Sequence, residues 1–131
     1  MKFISDINTA DFLVAHNAKF ELQWLYRLGF SLRQLVVWDT MIAEYVYSGN
    51  RRLPINLGAS CARHNIKAKT GFVPLAIKGG VCPSSLPKKW LADYCEEDVG
   101  ATRKLFLAQL EEYKNLIPVI YTRCILTPVL A

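Results

Sequence analysis

Two residue pairs in this sequence have the types and spacing for metal or proton chemistry. Asn17 and Glu21 stand four apart, which puts both side chains on one face of a helix and sets an amide beside a carboxylate. Tyr94 and Asp98 repeat the spacing with a phenol and a carboxylate, a combination that can orient a water and hold a metal ion. Each pair also has a plain structural reading. Asn17 can cap a helix while Glu21 sits solvated in its first turn, where the macrodipole favours an acid. Tyr94 can belong to an apolar face, with Asp98 a surface acid.

The apolar pattern gives the elements that must position these pairs. Asp11 to His16 (DFLVAH) is a short apolar run with a branched residue and no helical period, which suits a buried strand. Behind it Phe20, Leu22, Trp24, Leu25 and Leu28 recur at helical spacing, and Gly29 stands where a C-terminal cap is wanted. The Asn17/Glu21 pair therefore falls at a strand-to-helix junction, the edge of an α/β sheet at which ligands bind.

Leu35 to Trp38 reads as a second strand, and Asp39-Thr40 supplies N-cap chemistry for a helix from Met41 to Tyr47. Residues 48–54 read as a loop and 57–64 as a short helix ending near Asn65, while the Gly- and Pro-rich stretch 66–87 reads as irregular. From Lys88 a helical pattern runs to about Leu116, with Trp90, Leu91, Tyr94, Cys95, Val99, Leu105, Phe106 and Leu110 on its apolar face and Pro118 as its stop. Trp24, Trp38 and Trp90 each lie in an apolar pattern and are assigned to the core. Alternating strand and helix gives an α/β fold with a helix-rich C-terminal half. Two predicted strands are nevertheless too few for a stable open sheet.

With 52% apolar and 21% charged residues, the chain has the composition of a folded domain rather than a disordered one. Sixteen Lys and Arg against 11 Asp and Glu give +5, a modest lean towards a polyanionic partner. Cys61, Cys82, Cys95 and Cys124 form no Cys-x-x-Cys pair and no zinc-ligand spacing, which fits reduced thiols in a cytoplasm. Asp6 precedes any apolar run of signal-peptide length, and no stretch approaches a membrane span, so a soluble, unsecreted protein is expected.

In this order along the chain, the two pairs resemble two of the three exonuclease motifs of the DEDD superfamily, and Tyr94-x-x-x-Asp98 matches its Tyr-containing branch. HNAKFELQWL from His16 to Leu25, WDTMIAEYV from Trp38 to Val46, Lys69-Thr70 and YCEEDVGAT from Tyr94 to Thr102 together resemble the proofreading 3′-to-5′ exonuclease domain of phage and bacterial family-A DNA polymerases. The likeness spans nearly the whole chain. It implies a ribonuclease H-like domain over 1–117, with 118–131 resembling the connection into a polymerase domain.

In that family, two Mg2+ or Mn2+ ions held by four carboxylates flank the scissile phosphate. By position, the resemblance makes Glu21 and Asp98 metal ligands, Tyr94 the phenol that places the attacking water, His16 a substrate contact, and Asn17 a substrate contact or a brace of that site. Asp39 and Thr40 match a family signature without a catalytic role and read as a helix cap. Basic residues of the loops, Arg51, Arg52, Lys67, Lys69, Lys78, Lys88 and Lys89, offer phosphate contacts to a single-stranded 3′ end, or an ordinary solvated surface.

Two features depart from the family pattern. Glu21 stands where the second motif usually carries Asp, one methylene shorter. The first motif, Asp-x-Glu on a strand, is absent; the matching acid-x-acid pair, Glu96 and Asp98, falls on the predicted helix, where two steps separate side chains by roughly 200°. The expectation is therefore an N-terminally incomplete exonuclease domain from a bacterial or phage-infected cytoplasm. It would bind metal weakly and turn over little unless a polymerase domain or second chain supplies the missing carboxylates. A non-catalytic nucleic-acid-binding remnant and a polymerase interaction module are the alternatives.

Overall fold

A computed structural model describes residues 6–7, 9–32, 35–67 and 76–130. Strand β1 (Leu13–Ala15) leads through helix α1 (Ala18–Arg27) to β2 (Val37–Asp39). The strands pair in parallel, Leu13 against Val37, Val14 against Trp38 and Ala15 against Asp39. Parallel neighbours need a crossover, and α1 is that crossover. The chain continues through α2 (Thr40–Ser48), α3 (Leu57–Arg63), α4 (Lys88–Glu112), α5 (Ile117–Ile125) and α6 (Thr127–Leu130). The fold is mixed α/β with a helix-rich C-terminal half, as the pattern indicated.

A two-stranded sheet is marginal in water, and here helices cover it on both sides. Side chains alternate along a strand, so each strand feeds two layers. Leu13, Ala15 and Val37 pack with Ala18, Leu22 and Leu25 of α1. Val14 and Trp38 turn the other way, to Ala43 of α2, Tyr113, and Ile120 and Cys124 of α5. A third cluster of Cys61, Ala101 and Leu105 seats α3 on α4. All four cysteines are free. No helix among the described residues is long and apolar enough to cross a membrane.

The structure corrects several expectations from sequence. The long helix stops at Glu112, because Tyr113 (φ −108, ψ 31) leaves helical geometry, and a 3-10 turn over Lys114–Leu116 follows. Pro118 does not end that helix. It opens α5, where a first-turn proline lacks only an N–H that would have had no partner. Residues 117–125 then pack on β2 and α2 and share the core. Trp38 is buried as expected, but Trp24 and Trp90 are 53% and 46% exposed. Helix α1 carries large apolar groups on more than one side, and only the stripe of Ala18, Leu22 and Leu25 meets the sheet. Of the stretch read as irregular, Pro83–Ser85 forms a 3-10 turn, while 68–75, with Lys69 and Thr70, lie outside the described residues.

Candidate functional site

The chain turns from β1 into α1 at Asn17, which has left-handed backbone (φ 66, ψ 57), a conformation Asn tolerates better than most residues. Its side chain makes no cap. The cap comes from Asp39 at the end of β2, whose Oδ1 accepts from the Asn17 N–H at 3.0 Å and whose Oδ2 accepts from the Ala18 N–H at 2.9 Å. Oδ1 also accepts from the Met41 N–H at 2.9 Å, so one buried carboxylate starts both α1 and α2. The cap role read for Asp39 is therefore present twice over, and the capping alternative for Asn17 is not realised.

With α1 launched this way, Glu21 in its first turn faces the N-terminal half of α4, which crosses β1. Glu21, Tyr94, Asp98 and His16 line one pocket of about 770 Å³. Most of the remaining wall is apolar and includes Phe12, Val14 and Phe106. The Phe106 ring lies 5.7 Å from that of Phe12 and 5.7 Å from that of Trp38, which anchors this wall to the core. Asn17 is exposed beside the pocket and not among its walls.

Burial in this apolar setting disfavours carboxylate charge. It pushes the Asp98 carboxyl above its ordinary value, with Glu97 adding to the shift while a Tyr94 hydrogen bond and the nearby His16 oppose it. Glu21 is exposed at the surface, and its partial burial, with the Asp39 charge, still raises its carboxyl. Tyr94 is raised by burial and by Asp98. His16 is lowered by burial, against the pull of Ile55, Asp39, Glu44 and Asp98. Its Nε2 donates to the Ile55 carbonyl at 2.9 Å and its Nδ1 meets Thr40 Oγ1 at 2.9 Å, so both ring nitrogens are spent on the fold. His16 thereby ties the end of β1 to α2 and to the loop before α3.

The loop cations are placed differently from the expectation of a lined cleft. Arg51 donates to the carbonyls of Ser48 (3.2 Å) and Tyr47 (2.8 Å), its guanidinium 4.6 Å from the Tyr47 ring centre, and so finishes α2. Arg52 is exposed with left-handed backbone (φ 54), and Lys69 lies outside the described residues. Arg103, which drew no notice in the sequence, is the basic residue in the pocket wall. It follows Tyr94 and Asp98 along the same helix but falls one residue beyond the next step of their four-residue spacing, Thr102, so periodicity alone does not mark it.

Glu21 and Asp98 present hard carboxylate oxygens, the ligand type that Mg2+ and Mn2+ take. Among the described residues no group of three or more His, Cys, Asp and Glu is arranged to hold a metal, so a four-carboxylate set is not assembled there.

A second polar cluster centres on Glu44, which lies in the Trp38–Val46 run but was given no role there. Glu44 of α2 is fully buried. Its Oε1 meets His64 Nε2 at 2.6 Å, and its Oε2 accepts from the Tyr113 hydroxyl at 2.8 Å and from Arg63 at 3.4 Å. His64 Nδ1 meets Glu112 at 2.6 Å. Gln109 donates to the Thr40 carbonyl at 2.9 Å and accepts from the Trp38 indole at 3.0 Å, which links this cluster to the Thr40–His16 contact. Burial and Glu44 push Tyr113 far above its ordinary value.

No protein-family model matches the chain, and neither does any curated protein or solved structure.

Proposed function

We propose that this chain is the 3′-to-5′ proofreading exonuclease segment of a DNA polymerase, of ribonuclease H-like type, that holds a single-stranded DNA 3′ end at the Glu21–Tyr94–Asp98 pocket. One observation carries the reading. Glu21 and the Tyr94/Asp98 pair, far apart in sequence, line one pocket, where partial burial raises both carboxyls. Perturbed acids gathered in a cleft are what catalytic and metal sites need.

In this reading Glu21 and Asp98 hold Mg2+ or Mn2+. The bound cation supplies a Lewis acid and a water of lowered pKa. Tyr94 fixes the Asp98 carboxylate and orients a water with its hydroxyl. Arg103 faces a phosphate of the strand, and the Phe12/Phe106 wall keeps bulk water from the terminal nucleotide. His16 acts by holding the wall in place, and Asn17, Arg52 and Lys69 serve the strand outside the pocket. A polymerase domain or second chain completes the carboxylate set for full turnover.

A second reading, a non-catalytic single-strand-binding module, is favoured by the two carboxylates rather than four that line the pocket among the described residues. A 5′-labelled single strand incubated with the chain and Mg2+ or Mn2+ separates the two. Shortening from the 3′ end that Asp98→Ala abolishes supports the exonuclease. Binding without shortening selects the second reading, and no binding under any condition sinks both.

A further inference from the structure

Helix α1 buries Ala18, Leu22 and Leu25 against the sheet and turns Glu21 towards the pocket. On its opposite side Phe20, Trp24 and Arg27 line up at successive turns, and Phe20 and Trp24 are 57% and 53% exposed. The two rings meet edge to face at 6.4 Å, and the Arg27 guanidinium lies 5.4 Å from the Trp24 ring centre. Lys19 is exposed on the same helix, about 100° around from Phe20. The core does not account for these aromatics, and their arrangement is ordered by their own contacts.

We infer that this stripe is a stacking platform for single-stranded nucleic acid, with bases on Phe20 and Trp24 and phosphates at Arg27 and Lys19. Exposed aromatics interleaved with cations are the elements with which proteins hold single strands without reading sequence. Charge selects this occupant over a protein partner. Covering Trp24 with another protein would also bury the Arg27 guanidinium, whereas a polyanion neutralises it, and the chain as a whole carries +5. Trp24 stands three residues after Glu21, about 60° around the helix, so a strand ending at the pocket continues onto the stripe. The choice of nucleic acid rests on the function proposed above; the stripe itself stands on its exposure and contacts.

The test measures binding of a fluorescein-labelled oligodeoxythymidylate by anisotropy, in EDTA and in Mn2+, for the wild type and for Trp24→Ala, Trp24→Phe and Asp98→Asn. Circular dichroism verifies that each variant is folded. We expect Trp24→Ala to weaken binding about ten-fold in either condition, and Trp24→Phe to retain most of it, since a stacking face remains. Asp98→Asn should affect only the Mn2+-dependent part. Unchanged affinity in Trp24→Ala, or no binding by the wild type, overturns the platform. Loss in Trp24→Ala with no effect of Mn2+ or Asp98→Asn leaves the platform standing and sinks the pocket reading. Self-association of the wild type that Trp24→Ala abolishes, seen by sedimentation, assigns the stripe to a second copy and overturns the proposal.

Discussion

Replacing Asp39 by alanine removes the acceptor of three backbone N–H groups, those of Asn17, Ala18 and Met41. The carboxylate is 1% exposed, so water cannot fully replace it. Each buried donor left unsatisfied costs roughly 1–3 kcal/mol, and the less buried Asn17 and Met41 donors fall at the low end. The sum is about 3–5 kcal/mol, a large part of the ~5–15 kcal/mol that stabilises a typical domain. Asp39→Asn keeps one oxygen but turns an amide N–H2 towards a backbone donor, and should cost about 1–2 kcal/mol. Urea unfolding followed by far-ultraviolet circular dichroism reads both, as a lowered midpoint at an unchanged slope. A shift below about 0.5 kcal/mol for Asp39→Ala would refute the double cap as the device that launches α1 and α2.

Glu44→Leu strands His64, Tyr113 and Arg63 around a lost charge, so we expect at least about 3 kcal/mol of destabilisation in the same assay, against far less for an exposed acid such as Glu111. His16 has its pKa lowered by burial, so the unfolded chain binds its proton first as pH falls below 6.5. Its share of stability is present above that value and lost on acidification towards its folded pKa, and His16→Gln should flatten the fall when unfolding is measured across that range. Asp98 behaves oppositely. Its raised pKa means the folded chain keeps a proton that the unfolded chain releases near 3.8, so stability declines as pH rises from there. Asp98→Asn should therefore raise the thermal midpoint at neutral pH, at the expense of cation binding.

Part of this was legible in the sequence. The βαβ start and the Asp39 cap follow from local runs and turn chemistry, which act over a few residues, whereas the pairing of Glu21 with Tyr94 and Asp98 was expected only from the family resemblance, since local signals do not reach across more than seventy residues. Periodicity misplaced Trp24 and Trp90 because α1 and the start of α4 are apolar on several sides, and only tertiary contact decides which side is covered. Pro118 was ambiguous, since a proline stops one helix and opens the next equally well. Glu44 lies in the Trp38–Val46 run, but nothing local marks its meeting with His64 and Glu112, which come from the ends of α3 and α4 and reach it only in the folded chain.

The claim that Glu21 and Asp98 form a cation-holding pair is tested most directly by titrating the chain with Mn2+ and reading free ion from its paramagnetic resonance signal. We expect the wild type to take up Mn2+ at one site, with uptake lost in Glu21→Gln and in Asp98→Asn and kept in Glu111→Gln. No uptake by the wild type, or equal uptake by Asp98→Asn, would contradict it.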